Sequence, residues 1–156
     1  MNEKISVLII EPLQRPRMTE IENTLEAKQN IVGGFIEAIY PYDDNVALIC
    51  NDEGKINGMQ LNRAIRDDEG KIYEIIAGTF IVCGLTEDNF GDLSPELADK
   101  YKKLFYNPEE FLMTSKGIIA IPTKPSIKKK LNRTVKEKGK APKEPQAPKR
   151  DKPPEL

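Results

Sequence analysis

The residues best suited to holding another molecule are Asn62-Arg63-x-x-Arg66. Two guanidiniums three positions apart, beside an amide, can grip a phosphate, a carboxylate or an acidic patch bidentately. The competing reading of the same stretch is a solvated helix face paired with Asp67 and Asp68. Glu37 interrupts an apolar strand. Alternation places it on the solvent face; if buried, it requires a partner such as Arg63 or Arg66. Asn51 and Asn62 stand beside turns, where an amide side chain often satisfies backbone groups. The expected contact set for a ligand or partner is therefore Glu37, Asn51, Asn62, Arg63 and Arg66.

Other chemistry is sparse. The chain has no histidine, which removes Ser-His-Asp and Cys-His triads and the commonest metal ligand. Cys50 and Cys83 form no C-x-x-C motif and read as reduced packing residues, too few for a structural zinc site. Gly33-Gly34 lacks the G-x-G-x-x-G fingerprint and follows a helical stretch, so it reads as a helix stop. Gly54-Lys55 and Gly70-Lys71 lack the upstream glycine of a phosphate loop. Asp67-Asp68-Glu69-Gly70 fails calcium-loop spacing because Ile65 stands where the first carboxylate should be. Glu37 with Glu74 could do acid-base work only if folding brought them together. No catalytic residue, metal or cofactor is expected.

The elements that must position these residues follow from periodicity. Ile5–Ile10 reads as a buried strand, and Gln14–Arg17, containing Pro16, as an extended loop. Thr24 should cap a helix over Leu25–Ile31 that ends at Gly33-Gly34. Phe35–Tyr40 and Val46–Cys50 should form an antiparallel hairpin, followed by a turn at Asn51–Gly54. Met59–Arg66, with Leu61 and Ile65 four apart, predicts a short helix or structured loop. Ile72–Ala77 and Thr79–Cys83 read as strands broken at Gly78. Ser94-Pro95 should open a helix with Leu97, Tyr101, Leu104 and Phe105 on its apolar face. Pro108–Met113 predicts a helical turn and Gly117–Ile121 a short strand or docked segment. The order implies an α+β domain: a small, mostly antiparallel sheet with helices packed on one side.

The formal net charge of −1 conceals two halves. Residues 1–123 carry 12 Lys+Arg against 21 Asp+Glu, a net of −9. Residues 124–156 carry 12 against 4, a net of +8, with six of the 12 prolines. The first span should be one compact domain, large enough to fold without metal or disulfide. The second should be a disordered Lys/Pro-rich tail. Within it Ile127, Leu131 and Val135 recur every four residues, a pattern able to become helical on an acidic partner. The tail's lysines allow weak, salt-sensitive nucleic-acid contact, without aromatic residues for base stacking. The apolar runs are too short to cross a bilayer or serve as a signal peptide, so a soluble cytoplasmic protein without membrane contact is expected.

Several blocks resemble the Domain of Unknown Function 3846 family. They are Val7-Leu8-Ile9-Ile10-Glu11-Pro12, Val32-Gly33-Gly34-Phe35-Ile36-Glu37, Ala47–Lys55, Leu61-Asn62-Arg63-Ala64 and Ile75-Ile76-Ala77-Gly78-Thr79-Phe80. The resemblance spans roughly Ile5–Tyr106. It implies a small accessory protein of phages, plasmids or conjugative elements, working in the host cytoplasm. The resulting expectation is a non-enzymatic protein that sequesters a small anionic, nucleotide-like ligand or blocks a host defence protein. The alternatives are a nucleic-acid-associated protein using the basic tail and a DNA-mimic inhibitor using the acidic body.

Overall fold

The structure, a computed structural model, describes residues 3–125. It contains β1 (Lys4–Ile10), β2 (Arg17–Glu22), α1 (Leu25–Val32), β3 (Ile36–Ile39), β4 (Val46–Asn51) and β5 (Leu61–Arg66). These are followed by β6 (Ile72–Ala77), β7 (Phe80–Leu85), β8 (Phe90–Gly91), α2 (Pro95–Leu104), β9 (Glu109–Thr114) and β10 (Gly117–Pro122). The expectations for the basic tail, apart from Lys124 and Pro125, fall outside the described residues.

The main sheet has the order β2-β1-β7-β4-β3, with β8 also paired to β7. Two separate hairpins, β5-β6 and β9-β10, complete the strands. Every pairing is antiparallel among the described residues. The expected β3-β4 hairpin is present, with Glu37 opposite Cys50.

The central strands β1, β4 and β7 are nearly continuous apolar runs because both of their faces are covered. Alternation sends Ile5, Val7, Ile9, Ala47, Ile49, Ile81 and Cys83 to one face, where Val32 of α1 joins them. Leu8, Ile10, Val46, Leu48, Phe80 and Val82 go to the other, against Ile65 and Ile76 of the β5-β6 hairpin and Ala98, Tyr101 and Phe105 by α2. The helices thus lie on opposite faces, which corrects the expectation that both pack on one side. Three layers result, with the sheet in the middle.

Local signals at the helix ends act as expected. Thr24 Oγ1 accepts from the Ala27 amide, and Gly33, at φ 85°, donates its N–H to the Gln29 carbonyl. Ser94 Oγ accepts from the Leu97 amide, and Pro95 occupies the first turn of α2. Gly78, at φ 81°, makes the bend between β6 and β7.

Three expectations are corrected. Leu61–Arg66 is a strand: the Asp67–Gly70 turn folds it onto Ile72–Ala77, and that pairing overrides the four-residue spacing of Leu61 and Ile65. Asp67 Oδ1 accepts from the Glu69 and Lys71 amides, which holds the turn closed. Glu109–Thr114 is also a strand, paired with the β-branched run of β10 across Ser115-Lys116 and Gly117 at φ 115°. β2 begins within the segment expected to be an extended loop and runs on through Glu22, pairing with β1 along its length.

At one side of α2, Asp44 Oδ2 accepts from Lys100 Nζ at 2.6 Å and from the Tyr101 hydroxyl at 2.7 Å. Tyr101 packs on Tyr42 and Phe105, and Phe105 meets the edge of Phe80. The hydrogen bonds from Lys100 and Tyr101 hold the Asp44 carboxyl below its ordinary value of 3.8. A depressed carboxylate pKa contributes stability that is present above the unfolded value and lost as pH falls through the folded one. Asp44→Asn should therefore flatten the loss of stability below about pH 4, read from urea midpoints across an acid series. Gly84 lies where a Cβ would strike the Asp92 carbonyl oxygen. Gly84→Ala should destabilise the fold by about 1–3 kcal/mol through overpacking, measured by urea unfolding.

Candidate functional site

The five residues singled out in the sequence fall in two places. Asn62, Arg63 and Arg66 lie on β5, the first two buried and Arg66 exposed. Glu37 and Asn51 line a cleft between the β3-β4 hairpin and β6.

Arg63 is interior, with 1% of its surface exposed. Its Nε and Nη2 donate to the Phe105 carbonyl at 3.2 and 2.9 Å, and Nη2 also donates to the Gln14 carbonyl at 2.6 Å. Nη1 donates to Asn62 Oδ1 at 2.8 Å and to the Asn62 carbonyl at 3.4 Å. All five guanidinium protons are thereby engaged. Phe105 is the C-cap of α2, so the cation also meets the negative end of that helix dipole. Burial pulls the guanidinium pKa down to about 10, and Glu109 opposes that shift. The side chain remains charged at neutral pH.

Asn62 is equally committed. Its Nδ2 donates to the Ile10 carbonyl at 2.9 Å and to the Gly78 carbonyl at 2.8 Å, while Oδ1 serves Arg63. These bonds tie β5 to the end of β1 and to the β6-β7 bend. Arg66 emerges at the surface, where Nη2 donates to Glu109 Oε2 at 2.7 Å. The other carboxylate oxygen of Glu109, itself buried, accepts from the Ala64 amide at 2.8 Å. Neither Arg63 nor Arg66 pairs with Asp67 or Asp68 among the contacts seen; both reach residues distant in sequence. Nothing in the composition near position 109 marks Glu109 as their neighbour.

The cleft holds about 160 Å³ and is lined by Glu37, Cys50, Asn51, Asp52, Glu53, Gly54, Lys55, Ile56, Glu74 and Ile75–Ala77. Asn51 builds one wall. Its Nδ2 donates to the Val32 carbonyl at 3.1 Å, and its Oδ1 accepts from the Glu53 amide at 2.7 Å. Gly34 allows this, because a Cβ there would press on the Asn51 amide. Glu37 is exposed and faces the cleft from the edge strand β3. Lys55 Nζ meets Glu74 Oε1 at 3.3 Å across the mouth. The lining therefore carries four carboxylates and one ammonium. Glu37 and Glu74, read from the sequence as an acid-base pair only if folding united them, do share this lining.

Cys50 belongs to the α2 side of the sheet and Cys83 to the α1 side, both as buried free thiols. Burial pushes their pKa values up to about 11 and about 12. No group of three or more His, Cys, Asp or Glu side chains suited to a metal ion occurs among the described residues. Of the described residues, no helix is long and apolar enough to cross a membrane.

The chain thus presents an antiparallel α+β domain with a polar lock under one hairpin and an acidic cleft beside it. Residues 5–106 match the family described as a domain of unknown function (DUF3846), and the chain belongs to that family. No curated protein and no solved structure matches the chain.

The two arginines can be tested apart from any ligand. Arg63→Lys replaces five forked donors with three on a point charge. It should cost about 1.5–3 kcal/mol of stability in urea unfolding. A variant that keeps full stability while losing a binding activity would instead make Arg63 a ligand contact.

Proposed function

We propose that this protein is a non-enzymatic accessory protein of a mobile genetic element that acts by occupying a basic surface on a host protein. The observation that carries this reading is the composition of the cleft. Glu37, Asp52, Glu53 and Glu74 converge there, and the single cation, Lys55, is held by Glu74. Such a lining favours an arginine or lysine side chain of a partner. The net charge of −9 over residues 1–123 would steer a basic partner toward it.

Capture of a small anionic ligand has less support. Asn62 and the Arg63 guanidinium use their hydrogen-bonding groups inside the fold, and Arg66 is engaged by Glu109. An anion approaching the cleft would meet four carboxylates. The acidic-body form of the alternative, imitation of a nucleic acid toward its binding protein, uses the same surface and the same electrostatics. Binding alone serves this role, because a partner held in a stoichiometric complex is inactive without any reaction.

The test is calorimetric titration of the full chain with an arginine-rich peptide and, separately, with ATP. The peptide should bind with an affinity that falls as salt rises, and ATP should give no binding heat. The triple variant Glu37→Gln, Asp52→Asn, Glu53→Gln should weaken the peptide. At ~0.2–1 kcal/mol per exposed pair, the loss is roughly three- to hundredfold in Kd. ATP capture, or unchanged peptide affinity in the triple variant, would refute the proposal.

A further inference from the structure

The β9-β10 hairpin follows the family-matched residues and is apolar on both faces. Met113 and Ile118 pair on one face, Leu112 and Ile119 on the other, and Ile121 extends the second. All five are exposed, from 38% at Ile118 to 77% at Met113. Two strands alone make a marginal sheet in water. β9 is flanked by β5 through the Glu109 bond to the Ala64 amide. β10 has no strand on its outer side among the described residues.

That outer edge is uncharged from Gly117 to Pro122. Natural edges are usually guarded by lysine, by inward charge or by proline. Here the only guard is Pro122 at the far end. The Thr123 amide donates to the Pro108 carbonyl at 2.8 Å, which sets the hydrogen-bonding parity of the hairpin. Odd-numbered residues of β10 bond to β9, and the Ile118 and Ala120 amides and carbonyls point outward.

We infer that β10 is a self-association edge, at which two copies of this chain pair antiparallel about Ile119. In that register Ile118 bonds to Ala120 of the second copy and Ala120 to Ile118, giving four main-chain hydrogen bonds around a two-fold axis. Ile119 then faces its own copy in a close, non-hydrogen-bonded pair. The two hairpins become one four-stranded sheet with continuous apolar faces.

The strand's own composition selects a second copy as occupant. It offers no charge to a basic or acidic partner, yet it is complementary to itself. Gly117–Pro122 carries no charge, so the two facing strands do not repel each other. Among the described residues the other open edges carry charge, at Arg17, Glu20 and Glu22 of β2, Glu37 of β3 and Glu74 of β6, and pairing of β10 with its own copy uses the same edge on both chains. Association therefore closes at a dimer and does not propagate into a fibre.

Light scattering on the full chain across a dilution series should give twice the chain mass of 17.6 kDa at the concentrated end. Ile119→Lys sets two ammonium groups against each other and should halve the mass, with circular dichroism unchanged. Ile119→Val keeps the strand uncharged and should remain dimeric. If Ile119→Lys does not fold, Ala120→Pro removes an outward donor without touching the β9 ladder and should halve the mass in its place. A wild-type chain of single mass at every concentration, or a folded lysine or proline variant that stays at double mass, would overturn the inference.

Discussion

The guanidinium of Arg63 sits where three separate pieces of chain meet: the loop after β1, the C-cap of α2 and strand β5. The carbonyls of Gln14 and Phe105 are outside regular structure and face inward, so each needs a donor. One planar group with five protons supplies both and leaves none of its own unsatisfied. Leu13, in the left-handed region at φ 62°, turns the loop just before Gln14 presents its carbonyl. A non-glycine residue costs roughly 1–2 kcal/mol there, and the charged hydrogen bond at Gln14 offsets a strain of that size.

The rest of the layer over this face follows from that contact. Asn62 fixes the neighbouring end of β5 to Ile10 and Gly78, and Glu109 fixes its far side to β9. Ile65 and Ile76 can then cover Leu8, Phe80 and Val82. The apolar packing provides most of the favourable free energy, but it has no direction. The polar bonds decide where the hairpin lies. The cleft beside it lies between the β3-β4 hairpin and β6, and its acidic lining comes from Glu37 and Glu74 on strands and from Asp52 and Glu53 in the turn after β4.

Much of the fold could be read locally. Thr24, Gly33, Ser94 and Pro95 mark helix ends by chemistry acting within four residues, and they stand where expected. The β3-β4 hairpin and the buried strands β1, β4 and β7 were legible from apolar runs between turns. Strand β5 was not, because Leu61 and Ile65 fit a helical spacing and only pairing with β6 decides between the two. The placement of the helices on opposite faces depends on sheet order, to which no short window of residues refers. The contact residues divide in the same way. Glu37 and Asn51 reach one cleft because β3 and β4 pair in register. Arg63 is buried against backbone carbonyls, those of Gln14 and Phe105 far from it in sequence, and a carbonyl leaves no trace in residue type.

The two sulfur atoms illustrate what an alternating sheet does to chemistry. Cys50 and Cys83 sit on adjacent strands yet project from opposite sides, so the backbone of the sheet itself stands between them. No crosslink can form within the chain without unravelling it, and each thiol is kept protonated by its surroundings. Neither thiol is consequently a ready target for alkylating reagents in the folded protein at neutral pH. A cysteine introduced at any exposed position would be the sole reactive handle, available for a fluorophore or spin label on the wild-type background.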